Sequence, residues 1–172
     1  MRWQISLVAV LALFVAVSCD QQPVEPQLQQ ETVAPLFSSG HGAVVEKVSG
    51  GWNDTNPGFP RTFAFTAIRY ADGTVSGRWE RYGIFHGDVL CLTVVGNQAW
   101  IGTLDDDTPP ISPFAGTEGG FRVVDNGEGA NATPDQMSFQ FVDQAAGFAA
   151  DYCATTPAGP AFLAGVGNIQ VK

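Results

Sequence analysis

The chain has 172 residues, with 8 Lys and Arg against 17 Asp and Glu and a formal charge of -9 at pH 7. That acidic excess is spread along the sequence, which argues against nucleic acid as a partner and against direct adsorption to anionic lipid. Three Cys and two His offer no zinc spacing, and no Gly-rich phosphate loop is present, so no cofactor is expected.

The first segment is an export signal in layout. Arg2 supplies a positive start, Ile5 to Val17 is an apolar run of 13 residues broken only by Ser6, and Ala16-Val17-Ser18 places small residues before Cys19. A membrane-crossing helix needs about 20 residues, so residues 1–18 read as a cleaved signal peptide. Ala16-Val17-Ser18-Cys19 resembles the lipobox of bacterial lipoproteins, although that family usually has Leu where Ala16 stands. The resemblance implies lipidation of Cys19 and a permanent membrane anchor in the bacterial envelope. Ordinary secretory cleavage would cut the same bond. Residues 19–40 follow as a Gln-, Pro- and Glu-rich stretch without apolar periodicity, the composition of a flexible tether.

Residues 41–172, about 130 in number, suffice for a single domain with a real core. Their pattern is period two with frequent turn signals. Strands are predicted at Gly42 to Trp52, Thr62 to Tyr70, Val75 to Tyr82, Asp88 to Val95, Gln98 to Leu104, Phe121 to Val124, Met137 to Val142 and Val166 to Lys172. Asp72-Gly73 and Gly96-Asn97 mark tight hairpins. Leu90, Leu92 and Val94 are expected on one face with Cys91 opposite, and Met137, Phe139 and Phe141 on another shared face. Ala145 to Ala150 is expected to form one helical turn inside an ordered loop from Asp143 to Ala164. The fold class is therefore all-β: about eight antiparallel strands in a meander, forming a closed or partly closed barrel, with a β-sandwich as the alternative.

The segment from Gly87 to Gly102, with Phe63-Ala64-Phe65, Asp72 to Gly77, Val124 to Gly129 and the closing Gly167 to Val171, resembles secreted all-β proteins of bacteria that have no assigned activity. The resemblance covers about Arg61 to Lys172. It implies a fold and an export route and carries no functional residues across.

Cys91 and Cys153 form an even pair once Cys19 is assigned to the signal, and in an oxidising compartment they read as a disulfide. Such a bridge closes 61 intervening residues and stabilises by about 4 kcal/mol in the loop-entropy account. The alternative is two separate buried thiols. His86 and Asp88, two apart on one strand face, are the only trace of a hydrolase, and no nucleophile elbow accompanies them. Asp105, Asp106, Asp107, Asp125 and Glu128 offer oxygen ligands of the kind Ca²⁺ takes. They lack EF-hand spacing and are expected to be solvated turn residues, so no metal site is expected. Trp52, Trp79 and Trp100 are expected mainly in the core.

The function expected from these features is non-enzymatic: an envelope-anchored β domain that binds a protein or small-molecule partner. A lipocalin-like carrier of a small apolar molecule is the alternative, and a hydrolase using His86 the remote one.

Overall fold

The computed structural model of the protein describes residues 40–55, 62–82, 85–106, 113–129 and 131–172. Cys19, the expected signal segment, the expected tether before Gly40 and Asp107 lie outside these residues. Nine strands and one helix are described: β1 (Val44–Asp54), β2 (Thr62–Tyr70), β3 (Val75–Arg81), β4 (Phe85–Val95), β5 (Gln98–Asp105), β6 (Glu118–Val124), β7 (Gln136–Met137), β8 (Phe141–Gln144), α1 (Phe148–Thr155) and β9 (Gly165–Val171). They form one antiparallel sheet in the order β7-β6-β5-β4-β3-β2-β1-β9, with β8 also paired to β6. The sheet curls into a nearly closed barrel of eight strands, and all but the last neighbour pair follow chain order.

Alternation drives the curl. Val48, Trp52, Phe63, Phe65, Ala67, Trp79, Ile101, Phe121, Val123 and Ile169 all face inward and are buried. Phe121 meets Phe63 and Phe65 edge-on at 5.0 and 5.2 Å, and Phe63 stacks on Trp79 at 5.7 Å. Large side chains sit opposite small residues in register: Gly50 opposite Phe65, Trp79 opposite Gly87. A Cβ on Gly87 would lie 2.8 Å from Trp79 Nε1, so the ring occupies the space a side chain would need. These buried side chains form one hydrophobic core that fills the interior.

Helix α1 covers the outer face of β4, β5 and β6. Gly102 and Gly120 stand opposite each other in register and leave a flat bed for it. A Cβ on Gly102 would approach Ala149 Cβ to 2.7 Å, and one on Gly120 would approach the Tyr152 ring to 2.9 Å. Phe141, Phe148 and Tyr152 pack their rings together above that bed, 5.4–5.7 Å apart. Burial of Tyr152 pushes its hydroxyl up to about 12. The N-terminus of α1 is satisfied from β6: the Glu118 carboxylate accepts the backbone N–H groups of Gly147 at 3.0 Å and Ala149 at 2.7 Å.

Several predicted elements differ in detail. Leu90 is the extra residue of a bulge between Val89 and Cys91, so Val89 and Leu92 face the core and Leu90 is 43% exposed. The strand expected from Met137 to Val142 is broken into β7 and β8. Ser138 Oγ accepts the backbone N–H of Arg122 at 2.9 Å and redirects the chain there, leaving Phe139 exposed and Phe141 on the outer face against α1 rather than in the interior. The single helical turn expected at Ala145 is two-turn α1, starting after Gly147 at φ 95°.

The barrel closes at a seam where β9 meets β6 and β7. The backbone contributes one bridge between Ser138 and Phe162, made by the Leu163 N–H to Met137 O bond at 2.8 Å and the Phe139 N–H to Ala161 O bond at 3.2 Å. Side chains supply the rest. Asp135 Oδ2 accepts the Ile169 N–H at 2.6 Å, and Asp125 Oδ2 accepts the Val171 N–H at 2.9 Å.

Candidate functional site

The outer face of β1 to β4 carries a shallow groove of about 610 Å³. Its floor is made of short side chains, with Ser49 opposite Thr66 and Gly51 opposite Ala64 across β1 and β2. Continuing the same rows, β3 contributes Arg78 and Glu80, and β4 contributes Asp88 and His86. The wall on that side is thus charged while the floor stays low.

Arg78 organises the wall. Its Nη1 donates to Asp88 Oδ1 at 2.8 Å, and its Nη2 donates to Asp106 Oδ2 at 3.2 Å. These partners, Asp88 first, hold the guanidinium above its ordinary value. The His86 ring lies alongside, with Nδ1 3.3 Å from Arg78 Nη2 and 3.5 Å from Asp106 Oδ2. Asp88 spends its close contact on Arg78, so His86 and Asp88 share a face without forming the pair that hydrolase chemistry would use. Among the described residues no Ser, Thr or Cys side chain is hydrogen-bonded to His86. An arrangement of exposed, mutually neutralising charges above a flat polar floor can contact a hydrophilic surface through several hydrogen bonds at once.

The acidic run predicted as a solvated loop is divided by the fold. Asp105 is the last residue of β5 and the strand's alternation carries it inward with Ala99, Ile101 and Thr103. It is only 6% exposed, and its Oδ2 has no hydrogen-bond partner among the described residues. Burial raises its carboxyl to about 6, against the opposing pull of Arg81 and His86. Asp106 faces outward into the Arg78 cluster. The second run serves the seam: Asp125 accepts from Gly127 N–H at 2.8 Å as well as from Val171, and Glu128 Oε1 lies 3.4 Å from Gln170 Nε2. Asp135, not among the acidic residues weighed as oxygen ligands, also accepts the Asn126 N–H at 2.8 Å. Among the described residues no group of three His, Cys, Asp or Glu is placed to hold a metal ion.

Cys91 and Cys153 are bonded, with sulfurs 2.00 Å apart and Cα atoms 6.3 Å apart. The bridge joins the outer face of β4 to α1. Trp52, Trp79 and Trp100 are all buried. The first two lie inside the barrel, whereas Trp100 lies outside it beneath the chain after α1, donating to Pro157 O at 2.8 Å. His41, at the end of the predicted tether, is half-exposed, with Nδ1 3.4 Å from Asp72 Oδ2 and 3.2 Å from Thr74 Oγ1. Hydrogen bonds from the Thr74 hydroxyl and backbone hold Asp72 below its ordinary value.

Beside the core residues Trp52, Phe63 and Met137, a cavity of about 40 Å³ is closed by Arg81, Phe139, Gln140 and Leu163. That is room for about three water molecules at 10–15 Å³ each, far below what an apolar ligand of lipocalin cargo size occupies. No helix among the described residues is long and apolar enough to cross a membrane. Comparisons with protein-family models, curated proteins and solved structures found no match to this chain.

Proposed function

We propose that this protein is an exported β-barrel, anchored to the bacterial envelope through lipidated Cys19, that acts by binding a hydrophilic partner rather than by catalysis. The signal-like residues 1–18 and the tether-like residues 19–40 support the address. The observation that carries the binding reading is the outer-face groove. It combines a floor of Ser49, Ala64 and Thr66 with a wall of Arg78, Glu80 and His86, and its charges are braced against one another rather than aimed at a reacting atom. A filled interior supports the same reading over the carrier alternative.

The test is capture of partners by the full lipidated chain from its own envelope, compared between the unaltered protein and a Thr66→Trp/Arg78→Ala variant. Thr66→Trp raises the floor and Arg78→Ala dismantles the wall. A partner retained by the unaltered protein and lost with the variant supports the reading. Identical capture profiles from a folded variant overturn it.

A further inference from the structure

The sheet has a break in its ladder away from the seam. β3 pairs with β4 through Arg78–Arg81 and Phe85–Asp88, whereas β4 continues to Val95 and stays paired with β5 along that length. Past Asp88, the Leu90 bulge turns β4 aside and β3 is nearing its hairpin at Thr74. The β3 side of β4 therefore has no strand beside it among the described residues.

The hydrogen-bonding groups on that open side can be assigned. Gly96-Asn97 is a two-residue hairpin loop with Gly96 at φ 62°, which makes Val95 and Gln98 a hydrogen-bonded pair. Alternation back along β4 gives Thr93 and Cys91 to β5 and turns the N–H and C=O groups of Leu92 and Val94 outward to the open edge. The β3 ladder ends at Arg78–Asp88 and does not reach those four groups, and no turn or loop bond to them is found among the described residues.

This edge is the floor of a groove of about 660 Å³, with Arg69 and Val75 of the hairpin on one side, Ala150 and Ala154 of α1 on the other, and Leu90 and Thr93 along the base. In a chain of charge -9, the groove lining contains no carboxylate. Its one cation, Arg69, is engaged by Glu46 at 3.3 Å. An uncharged segment enters such a lining without stranding a charge, and an extended backbone is what unpaired N–H and C=O groups in a row select. The open groups belong to two residues, Leu92 and Val94, between the β2–β3 hairpin and α1 of the same chain, so one short extended segment satisfies them.

We propose that this groove binds an extended, uncharged segment of a partner protein, which pairs with Leu92 and Val94 and adds a strand to the sheet. The small residues of α1 leave space above the edge for the segment's outward side chains. The site is separate from the Arg78 groove, and closing that groove leaves binding here unchanged.

The probe is a free peptide selected against the full chain, in detergent, from a displayed library of random seven-residue sequences. Binding slows hydrogen exchange at the Leu92 and Val94 amides. N-methylation of alternate peptide amides, which removes ladder donors and keeps every side chain, weakens binding at least tenfold. Val94→Pro, which puts a ring on the open edge, abolishes it, and Ala154→Trp, which fills the groove from the wall, does the same without touching the strand. Equal affinity for the N-methylated peptide overturns the proposal, as does protection at amides elsewhere or a library that yields no binder. Leu92 and Val94 amides already protected in the free chain also overturn it, because the edge is then covered by the chain itself or by a second copy.

Discussion

Asp135 Oδ2 accepts the backbone N–H of Ile169 at 2.6 Å, and through that bond the last strand is joined to the far side of the barrel. Both residues are buried, so a loss there is not made good by bulk water. Asp125 repeats the device at Val171. A carboxylate standing in for a strand's carbonyl is a charge-assisted acceptor and stronger than the neutral one it replaces.

Asp135→Ala should cost about 1–3 kcal/mol, the range for leaving a buried donor unpaired. Urea unfolding measures the loss, and hydrogen exchange at the Ile169 amide should accelerate in the variant. Unchanged exchange at Ile169 would show that the seam is held by other contacts.

Asp105 gives a pH dependence of known sign. Its folded-state value of about 6 lies above the ordinary carboxyl value of 3.8, so folding favours the protonated form. The penalty for the buried charge is present above pH 6 and is relieved as pH falls from 6 towards 4. Asp105→Asn should therefore stabilise the protein by about 1–3 kcal/mol at pH 8, a two-unit shift discounted for what the amide still lacks. The gain should shrink to near zero by pH 4. A variant less stable than the parent at pH 8 would contradict this.

Removing the covalent bridge should be costly. Cys91→Ala/Cys153→Ala is expected to lose about 2–4 kcal/mol, and thiol trapping of the denatured, unreduced chain should label neither cysteine. Labelling of both would mean that the pair is reduced in its own compartment.

Calcium should do nothing. The oxygens of Asp125 and Asp135 are occupied by backbone N–H groups, and a site that bound the folded state tightly would add about 2.7 kcal/mol at 100-fold excess over its dissociation constant. Thermal midpoints in millimolar Ca²⁺ and in EDTA are expected to coincide. A rise of several degrees with Ca²⁺ would make metal binding the leading clue.

Anchoring is tested by Cys19→Ala, which should block processing of the precursor or move the protein from the membrane fraction to the soluble one. An unchanged membrane fraction would remove lipidation from the account.

The strands were readable because each half-buried strand writes its inner and outer faces alternately, and the turns because Gly73 and Gly96 adopt positive φ. Phe63, Phe65, Trp79 and Ile169 follow that alternation into the core. What escaped the sequence depends on contacts between distant residues. The Leu90 bulge shifts the alternation of β4 by one residue, and nothing local announces it. Ser138 breaks a clean alternation because its hydroxyl finds Arg122 on another strand. Glu118 caps a helix 29 residues away. Asp105 could have been found by extending the alternation of β5 by one step, but the three consecutive aspartates looked like one loop. The Arg78 cluster needed the β3–β4 register, which no spacing within either strand contains.

The pairing of β1 with β9 sets a condition on when the molecule can take shape. Val48 and Trp52 find one neighbour in β2 but the other only in Val171 and Gly167, near the far end of the chain. Until Gly165 to Val171 emerge, β1 has an open side and the carboxylates of Asp125 and Asp135 have no strand to hold. Assembly of the sheet therefore waits for residues 165–171, and the long loop that must close slows it further. A chain still being made keeps that edge of β1 unpaired until those residues follow.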